Sequence, residues 1–146
     1  MDLQTIYQTI PHRPPFLFVD RIISWDDQRI LCEKTFSGEE NFFQGHYPGN
    51  PIVPGVLLCE AAMQTGAIFL SKLFREKDPS GKKAPVVAKM GEVRFKKIIR
   101  PGDTITTEVE FRESMGSIYF MKAKIKSAQE LVARFEFACT ATEINS

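Results

Sequence analysis

The amino-acid sequence predicts an α+β fold, in which an antiparallel β-sheet packs around one long central helix. Residues 56–74 form a proline-free run with apolar side chains on nearly every face, which is typical of a buried helix. Most strand-like segments follow this run, and they alternate apolar with polar or small side chains. A sheet of about six strands curled around one helix satisfies both patterns. The 146 residues, 43% of them hydrophobic, suit one core, so we expect residues 1–146 to form a single domain.

The part of the chain before the buried helix is predicted to hold one short helix and a hairpin. Apolar residues at helical spacing indicate a helix over 2–10, which the proline-rich segment 11–15 ends. Strands are expected at 16–25 and 29–36, because both segments are rich in apolar and β-branched residues. The polar segment 26–28 between them has the composition of a turn, so the two strands should pair as a hairpin.

The buried helix follows a loop rich in glycine and proline at 45–55. Lys72, Arg75 and Lys77 lie near its end, where cationic side chains suit the negative end of the helix dipole. The segment 78–81, Asp-Pro-Ser-Gly, then stops the helix. Four further strands are expected at 85–97, 104–113, 117–128 and 131–143.

Charge, cysteine content and the N-terminal sequence exclude several protein classes. Nineteen Lys and Arg against eighteen Asp and Glu give a net charge of +1, without the basic excess of a nucleic-acid binder. Cys32, Cys59 and Cys139 are odd in number and lie in apolar segments, which indicates buried free thiols in a reducing compartment. No signal-peptide pattern is present, and no run approaches the roughly 18 apolar residues of a membrane span. We therefore expect a cytoplasmic protein.

A lone histidine and a lone carboxylate lie on either side of the helix start. His46 occupies the segment 44–49, Gln-Gly-His-Tyr-Pro-Gly, whose glycines and proline fix the backbone. Glu60 and Gln64, four residues apart, share one face of the apolar helix, where desolvation favours a protonated carboxyl group. The pair could serve as general base and general acid. The alternatives are a hydrogen-bonded surface histidine, and a structural glutamate at an interface or beside a buried arginine.

The first residues of the helix offer a third chemical element. The backbone N–H groups of Gly55 and Val56 have no partner within the helix, so they could hold an oxygen that gains negative charge. An ordinary helix entry after a proline is the alternative. Cys59 points about 100° away from Glu60 and is assigned to the core, and His12 is assigned a structural role. Two histidines without a cysteine pair or a His-x-x-x-His spacing indicate no metal site.

A local basic cluster lies between the predicted strands of the second half, at Arg94, Lys96, Lys97 and Arg100. A solvated strand face is the ordinary explanation for such a cluster. In a chain of nearly neutral charge, it could instead steer an acidic protein or a phosphorylated carrier towards the site. The four residues are therefore candidates for carrier docking.

Several sequence blocks occur in order along nearly the whole chain. They are PHRPPFLFVDR at 11–21, NFFQGHYPGNP at 41–51 with PGVL at 54–57, EAAMQ at 60–64, and RF at 94–95 with PGD at 101–103. Together these blocks resemble the 3-hydroxyacyl-(acyl-carrier-protein) dehydratases of the FabZ type, which have the hot-dog fold. The resemblance implies a hot-dog sheet wrapped around the central helix.

The resemblance also implies a reaction, the dehydration of (3R)-hydroxyacyl-acyl-carrier-protein to the trans-2-enoyl form in fatty acid biosynthesis. The catalytic histidine and glutamate of that family match His46 and Glu60. By this analogy, His46 removes the proton from C2, and protonated Glu60 donates to the departing hydroxyl. The N–H groups of Gly55 and Val56 stabilise the enolate-like oxygen, and Gln64 orients Glu60 or the leaving water.

The same resemblance implies the partners of the chain. The family's active sites form across a homodimer, with the histidine of one subunit facing the glutamate of the other, and dimers commonly assemble into hexamers. The substrate arrives on acyl carrier protein together with its phosphopantetheine arm, and no metal or redox cofactor is implied. Tyr47 stands where the family usually has phenylalanine, a change at the site entrance. Glutamate rather than aspartate at position 60 is typical of the simple dehydratases, so double-bond isomerisation is not expected.

Two other functions are compatible with these residues. One is a hot-dog acyl thioesterase, in which water attacks the thioester carbonyl. The other is a non-catalytic subunit that binds acyl chains or assists assembly and for which Glu60 has no chemical role. Release of free thiol distinguishes the first from dehydration, and ligand binding without turnover distinguishes the second.

Overall fold

The computed structural model describes residues 2–143, which contain two α-helices, a short 3-10 helix and seven strands. The elements are α1 Leu3–Thr9, β1 Arg21–Trp25, β2 Arg29–Thr35, the 3-10 helix Asn41–Gln44, α2 Gly55–Lys77, β3 Lys83–Met90, β4 Arg94–Phe95, β5 Thr104–Met115, β6 Ile118–Ser127 and β7 Glu130–Glu143.

All strands belong to one antiparallel sheet with the order β1-β2-β5-β6-β7-β3, and β4 pairs with β7. The helix α2 packs on this sheet against β2, β3, β5 and β6. The expected α+β architecture, a sheet around a long central helix, is confirmed. β1 and β3 form the two edges of the sheet.

A row of paired side chains across the sheet forms the surface on which α2 lies. Ile30, Val109, Ala123 and Phe135 are cross-strand partners on β2, β5, β6 and β7, and all four are buried. A Cβ atom at Gly66 of α2 would lie only 3.5 Å from Cγ1 of Val109 and 2.7 Å from Cζ of Phe137. The missing side chain at Gly66 therefore allows the helix to approach the sheet closely.

The first hairpin forms where the sequence predicts it, but its first strand is shorter. The side chain of Asp26 accepts hydrogen bonds from the N–H groups of Gln28 and Arg29 at 2.8 and 2.9 Å, which fixes the turn. The strand expected at 16–25 begins only at Arg21. In the segment before it, the side chain of Gln64, rather than a neighbouring strand, binds backbone groups.

The strand expected at 85–97 is interrupted, which is why the sheet has seven strands rather than about six. β3 ends at Met90 and the two-residue β4 begins at Arg94. Between them the N–H of Gly91 donates to the carbonyl of Glu136 at 2.7 Å, where a Cβ atom would stand 3.2 Å from the same oxygen. A glycine at this close approach divides one predicted strand into two.

The prediction that no segment approaches the length and apolarity of a membrane span is wrong for α2. Its 23 residues are long and apolar enough to cross a membrane by length and composition, and an 18-residue stretch of them has a mean hydropathy of 1.3. In the fold, 67% of that apolar stretch is buried, as in the core helix of a globular protein.

One buried amide ties α2 to the chain that precedes the sheet. Gln64 is 1% exposed, and its Oε1 accepts a hydrogen bond from the N–H of Phe18 at 2.8 Å. Its Nε2 donates to the carbonyl of Phe16 at 2.9 Å and to Oε2 of Glu60 at 3.0 Å. The amide thus replaces a strand neighbour for the segment 16–18 and also contacts Glu60.

We expect Gln64→Met to lower the free energy of unfolding by about 2–4 kcal/mol, because two backbone groups lose their partner and each unsatisfied group costs about 1–3 kcal/mol. Glu60→Gln serves as the matched control, since it leaves the two backbone hydrogen bonds of Gln64 intact, and it should change stability by less than about 1 kcal/mol. Urea unfolding followed by circular dichroism measures both changes. Equal stability of the two variants would contradict the role given to the amide.

Candidate active site

His46 lies in the loop between the 3-10 helix and α2, and the loop backbone fixes its ring. Nδ1 lies 3.0 Å from the carbonyl oxygen of Ile52. A carbonyl can only accept, so Nδ1 carries the proton and donates it to Ile52. The ring also stacks on Tyr47, with 4.4 Å between centroids. Neutral His46 therefore presents an unprotonated Nε2, which is the form that a general base requires.

Two backbone contacts hold this loop closed around the ring. The N–H of Ile52 donates to the carbonyl of His46 at 2.9 Å, and the N–H of Val53 donates to the carbonyl of Ile99 at 2.7 Å. Arg100 adds a side-chain hydrogen bond to Asn50 at 2.7 Å. The expectation of a histidine positioned by its loop rather than packed on an apolar face is consistent with this geometry.

Glu60 lies in the second turn of α2 and is less buried than the sequence pattern implied. Its side chain is 22% exposed, whereas the neighbouring Gln64 is fully enclosed. Oε2 accepts the hydrogen bond from Gln64, and no residue in the described part of the chain donates to Oε1. The carboxyl group is thus held through one oxygen and is open at the other.

The N-terminus of α2 leaves two backbone donors available. The N–H groups of Leu57 and Leu58 bond to the carbonyl of Pro54, but those of Gly55 and Val56 find no acceptor among residues 2–143. No side chain caps the helix at Pro54. Both free donors lie at the positive end of the helix dipole, where an anionic oxygen is favoured.

Gly55 is also the point where an aromatic ring meets the helix start. A Cβ atom there would lie 2.9 Å from Cζ of Phe95. Phe95 itself is 49% exposed and Val56 is 74% exposed, so the helix start carries an apolar surface on its outside.

The two central candidates do not meet within one chain. Across the described residues, neither a hydrogen bond nor an ion pair joins His46 to Glu60. The structure brings Glu60 together with Gln64, and it puts Gly55 and Val56 on the same helix. His46 faces its own loop carbonyl instead, with Nε2 unoccupied by any described group.

His12, assigned a structural role from the sequence, lies beside Glu60. Its Nε2 is 3.7 Å from Oε2 of Glu60, while its Nδ1 is buried without a hydrogen-bond partner. Burial lowers the pKa of His12 from its ordinary value of 6.5, and the charge of Arg13 acts in the same direction. The nearby Glu60 acts in the opposite direction, with a smaller effect than burial. No spacing rule links positions 12 and 60, because the contact depends on the path of the chain over α2.

The four basic residues proposed for docking do not act as one patch. Arg94 pairs with Glu92 at 3.3 Å, Lys97 pairs with Glu130 at 3.4 Å, and Arg100 bonds to Asn50. Lys96 is exposed and has no side-chain partner among residues 2–143. Lys96 is therefore the member of the cluster with the most accessible charge.

The three cysteines are buried free thiols, as the sequence predicts. Burial raises the pKa of Cys59, and it raises those of Cys32 and Cys139 to about 12. Such thiols remain protonated at neutral pH, so Cys59 is not an activated nucleophile.

The edge strand β3 exposes apolar side chains. Val86, Val87 and Met90 are each about 40% exposed, and Phe95 lies further along the same edge on β4. We call these four residues the β3 edge surface. Unpaired backbone groups and apolar side chains on an edge strand are suited to pairing with another strand.

The sequence matches the FabA-like domain family over residues 10–136. The 3-hydroxyacyl-(acyl-carrier-protein) dehydratase FabZ of Caulobacter vibrioides strain NA1000 / CB15N is 42% identical over 98% of this chain and 89% of that protein. The protein of the same name from Chloroflexus aggregans is 40% identical over 98% of this chain and 97% of its own length.

Solved structures show the same fold at low sequence identity. The dehydratase heterocomplex ApeI:P from Xenorhabdus doucetiae has a TM-score of 0.78 at 13% identity, covering 94% of this chain and 91% of that chain. The PaaI protein of E. coli has a TM-score of 0.63 at 21% identity, covering 82% and 80%. These similarities concern the hot-dog architecture alone. The match over residues 10–136 and the nearly full-length relatives show that the chain belongs to the FabA-like family, among its FabZ-type members.

Proposed function

We propose that the protein is a hydro-lyase that dehydrates (3R)-hydroxyacyl-acyl-carrier-protein to trans-2-enoyl-acyl-carrier-protein in fatty acid biosynthesis. The observation that carries this proposal is that one available group suits a base and another suits an acid. Nδ1 of His46 is directed at the carbonyl of Ile52, which leaves Nε2 as the nitrogen available to a base, and Oε1 of Glu60 receives no hydrogen bond from residues 2–143. Dehydration needs one group that takes a proton and one that supplies a proton. The names of the FabZ relatives support the same reaction.

In this mechanism His46 acts first, as the base. Its Nε2 takes a proton from C2 of the acyl chain, while Nδ1 keeps its proton on the carbonyl of Ile52. The imidazolium that forms is stabilised by that hydrogen bond. The electron pair from the C–H bond moves towards the thioester carbonyl, whose oxygen gains negative charge.

The helix α2 supplies the other half of the reaction. The N–H groups of Gly55 and Val56 stabilise the enolate-like oxygen, since they have no competing acceptor within the described chain. The Glu60 carboxyl gives its proton to the C3 hydroxyl, which leaves as water as the C2–C3 double bond forms. Gln64 orients Glu60 through the 3.0 Å hydrogen bond to Oε2. Protons and water are the only species exchanged, so the scheme needs no metal or redox cofactor.

The working unit in this proposal is a homodimer, and dimers pack further as a trimer of dimers in the manner of the family. Two observations support the dimer. His46 and Glu60 are not in contact within one chain, and the β3 edge surface is apolar and pairs with no further strand among residues 2–143. Pairing of two β3 edges would cover this surface and bring a second chain to the start of α2. His46 of one subunit would then serve Glu60 of the other.

The carrier and the location of the protein are part of the same proposal. The substrate is bound to acyl carrier protein, and the accessible charge of Lys96 attracts an acidic carrier. Arg94, Lys97 and Arg100, which have acidic or polar partners, contribute less. Three buried free thiols suit the reducing cytoplasm.

We expect His46→Ala and Glu60→Gln each to lower kcat at least about 100-fold, because a positioned acid or base usually contributes that much or more. The hydration of a crotonyl thioester, followed by ultraviolet absorbance, measures the reverse reaction. Tyr47→Phe is a matched control, since it keeps the ring stacked on His46, and it should stay within about threefold of the unmodified protein. Rates within threefold for His46→Ala or Glu60→Gln would exclude the roles assigned to these residues. Release of free thiol instead of hydration would favour a thioesterase.

Coexpression of His46→Ala and Glu60→Gln chains tests whether the site is shared. The two chains carry different affinity tags, and purification through both tags selects mixed dimers. With the site built across two chains, the intact His46 of one chain meets the intact Glu60 of the other at one of the two sites. We therefore expect about a quarter to half of full activity. Two differently tagged copies of His46→Ala are the control and should remain inactive. With both residues acting within one chain, the mixed dimer would have no intact site, so absence of rescue argues against the shared arrangement.

Charge reversal at Lys96 tests carrier docking. Lys96→Glu should raise KM for the carrier-bound substrate by about threefold to tenfold, because a repulsive rim charge weakens association. The KM for a small crotonyl thioester, which has no carrier, should not change. Lys126→Glu makes the same change at another exposed position, on β6, and controls for net charge. Unchanged carrier KM in the Lys96 variant removes this residue from the docking surface.

A further inference from the structure

His12 holds a position that the dehydration scheme above does not use. Its Nε2 faces Oε2 of Glu60 at 3.7 Å, the same oxygen to which Gln64 donates at 3.0 Å. Both neighbours thus approach one carboxyl oxygen, and the other receives no hydrogen bond from residues 2–143. The two oxygens of Glu60 therefore have different environments.

The backbone around His12 is held by side chains that contact the chain before and after it. The guanidinium of the adjacent Arg13 donates to the carbonyls of Ile10 and His12 at 2.9 and 2.7 Å, and to that of Tyr7 at 3.0 Å. It also lies over the ring of Tyr7, 4.3 Å from its centroid. A few residues further on, Gln64 binds the backbone of the segment 16–18. These anchors set the segment 10–18 across α2 with His12 directed towards Glu60.

The surroundings of His12 also fix which of its nitrogens carries a proton. Nδ1 is buried without a partner, so a second proton there would leave an unpaired charged N–H group in the interior. The charged groups that act on the ring are Glu60 from α2 and Arg13 beside it, and burial outweighs the attraction of Glu60. The resulting lowering of the pKa of His12 keeps the ring neutral at pH 7. A neutral ring with its proton on Nε2 directs an N–H dipole at Oε2 across 3.7 Å, a distance longer than a hydrogen bond.

We propose that His12 is a positioning residue for Glu60: as a neutral N–H donor, together with Gln64, it makes Oε2 the accepting oxygen and leaves the reactive proton on Oε1. This inference rests on the proposed dehydratase function, in which Glu60 is the acid. A carboxylic acid has one carbonyl oxygen and one hydroxyl oxygen. The hydrogen bond from Gln64 at 3.0 Å and the N–H dipole of His12 at the longer distance of 3.7 Å both favour Oε2 as the carbonyl oxygen. Oε1, which is open, then carries the proton to the leaving hydroxyl. A doubly protonated His12 would instead favour the carboxylate and remove that proton.

Two substitutions separate positioning from packing. His12→Gln places an amide N–H close to the position of Nε2, whereas His12→Phe keeps the ring shape without a donor. Phenylalanine also replaces the unpartnered Nδ1 by carbon, so this variant should fold at least as stably as the unmodified protein. A residue that only fills space would therefore tolerate phenylalanine as well as or better than glutamine.

We expect His12→Phe to lower kcat for crotonyl thioester hydration by roughly tenfold, with KM changed less than about twofold, because a donor to a reacting carboxyl group is lost. His12→Gln should keep kcat within about threefold of the unmodified protein. A thermal melt of each variant checks folding. If His12→Phe melts normally and has full kcat, the positioning role is overturned.

Two measurements without turnover keep the inference testable even if the protein shows no dehydratase activity. Nitrogen-15 NMR of the histidine rings at pH 7 should show His12 neutral with the proton on Nε2, and a proton on Nδ1 or a doubly protonated ring overturns the inference. An inactive unmodified protein would instead count against the proposed function alone.

The second measurement uses stability. The folded pKa of His12 is depressed, so the associated stability is present above about pH 6.5 and is lost as the pH falls through the folded pKa. Between about pH 7.5 and 5, the unmodified protein should lose more unfolding free energy than His12→Gln, in which position 12 does not titrate. Equal losses in the two proteins contradict the neutral imidazole on which the inference depends.

Discussion

The structure around the site depends on one buried amide. Gln64 uses both of its N–H donors and its oxygen, for Phe16, Glu60 and Phe18, while being enclosed in the core. A buried polar group is stable only when its hydrogen bonds are satisfied, so the position of the chain at 16–18 and the orientation of Glu60 are coupled through this side chain. A small change in how the N-terminal segment crosses α2 would therefore affect the fold and the carboxyl group together.

Local patterns predicted the elements well where each element is determined by its own residues. The apolar run at 56–74 became the core of α2, and Asp26 closed the expected turn with its own side chain. The two differences in the sheet arise from contacts between distant residues. Gln64 takes the place of a strand neighbour before β1, and the approach of Gly91 to Glu136 interrupts the predicted strand. Neither contact leaves a periodic signal in the sequence.

The residues of the candidate site also fall into those that local sequence indicates and those that depend on distant contacts. His46, Glu60 and the free donors of Gly55 and Val56 were indicated by residue type and position, because a stiff loop, an interrupted apolar face and a helix start are local features. The family resemblance implies that these groups act together in one reaction. His12 remained hidden, since its contact with Glu60 requires the chain to turn back over α2 after the proline-rich segment. Residues that orient a reactive group through long-range contacts are the ones that sequence patterns miss.

The described Lys and Arg side chains also form no ion pair with Glu60 in the proposed reaction centre. His46 donates through Nδ1 to a neutral carbonyl, and burial holds His12 neutral beside Glu60. In the proposed mechanism, the groups that bind the substrate oxygen are backbone N–H dipoles rather than lysines or arginines. The cations of the proposed docking region, by contrast, lie at the surface, three of them with polar or acidic partners. Fixed dipoles stabilise a developing charge without bringing a cation next to Glu60, and this separation is what the proposed mechanism requires of a carboxyl group that acts as an acid.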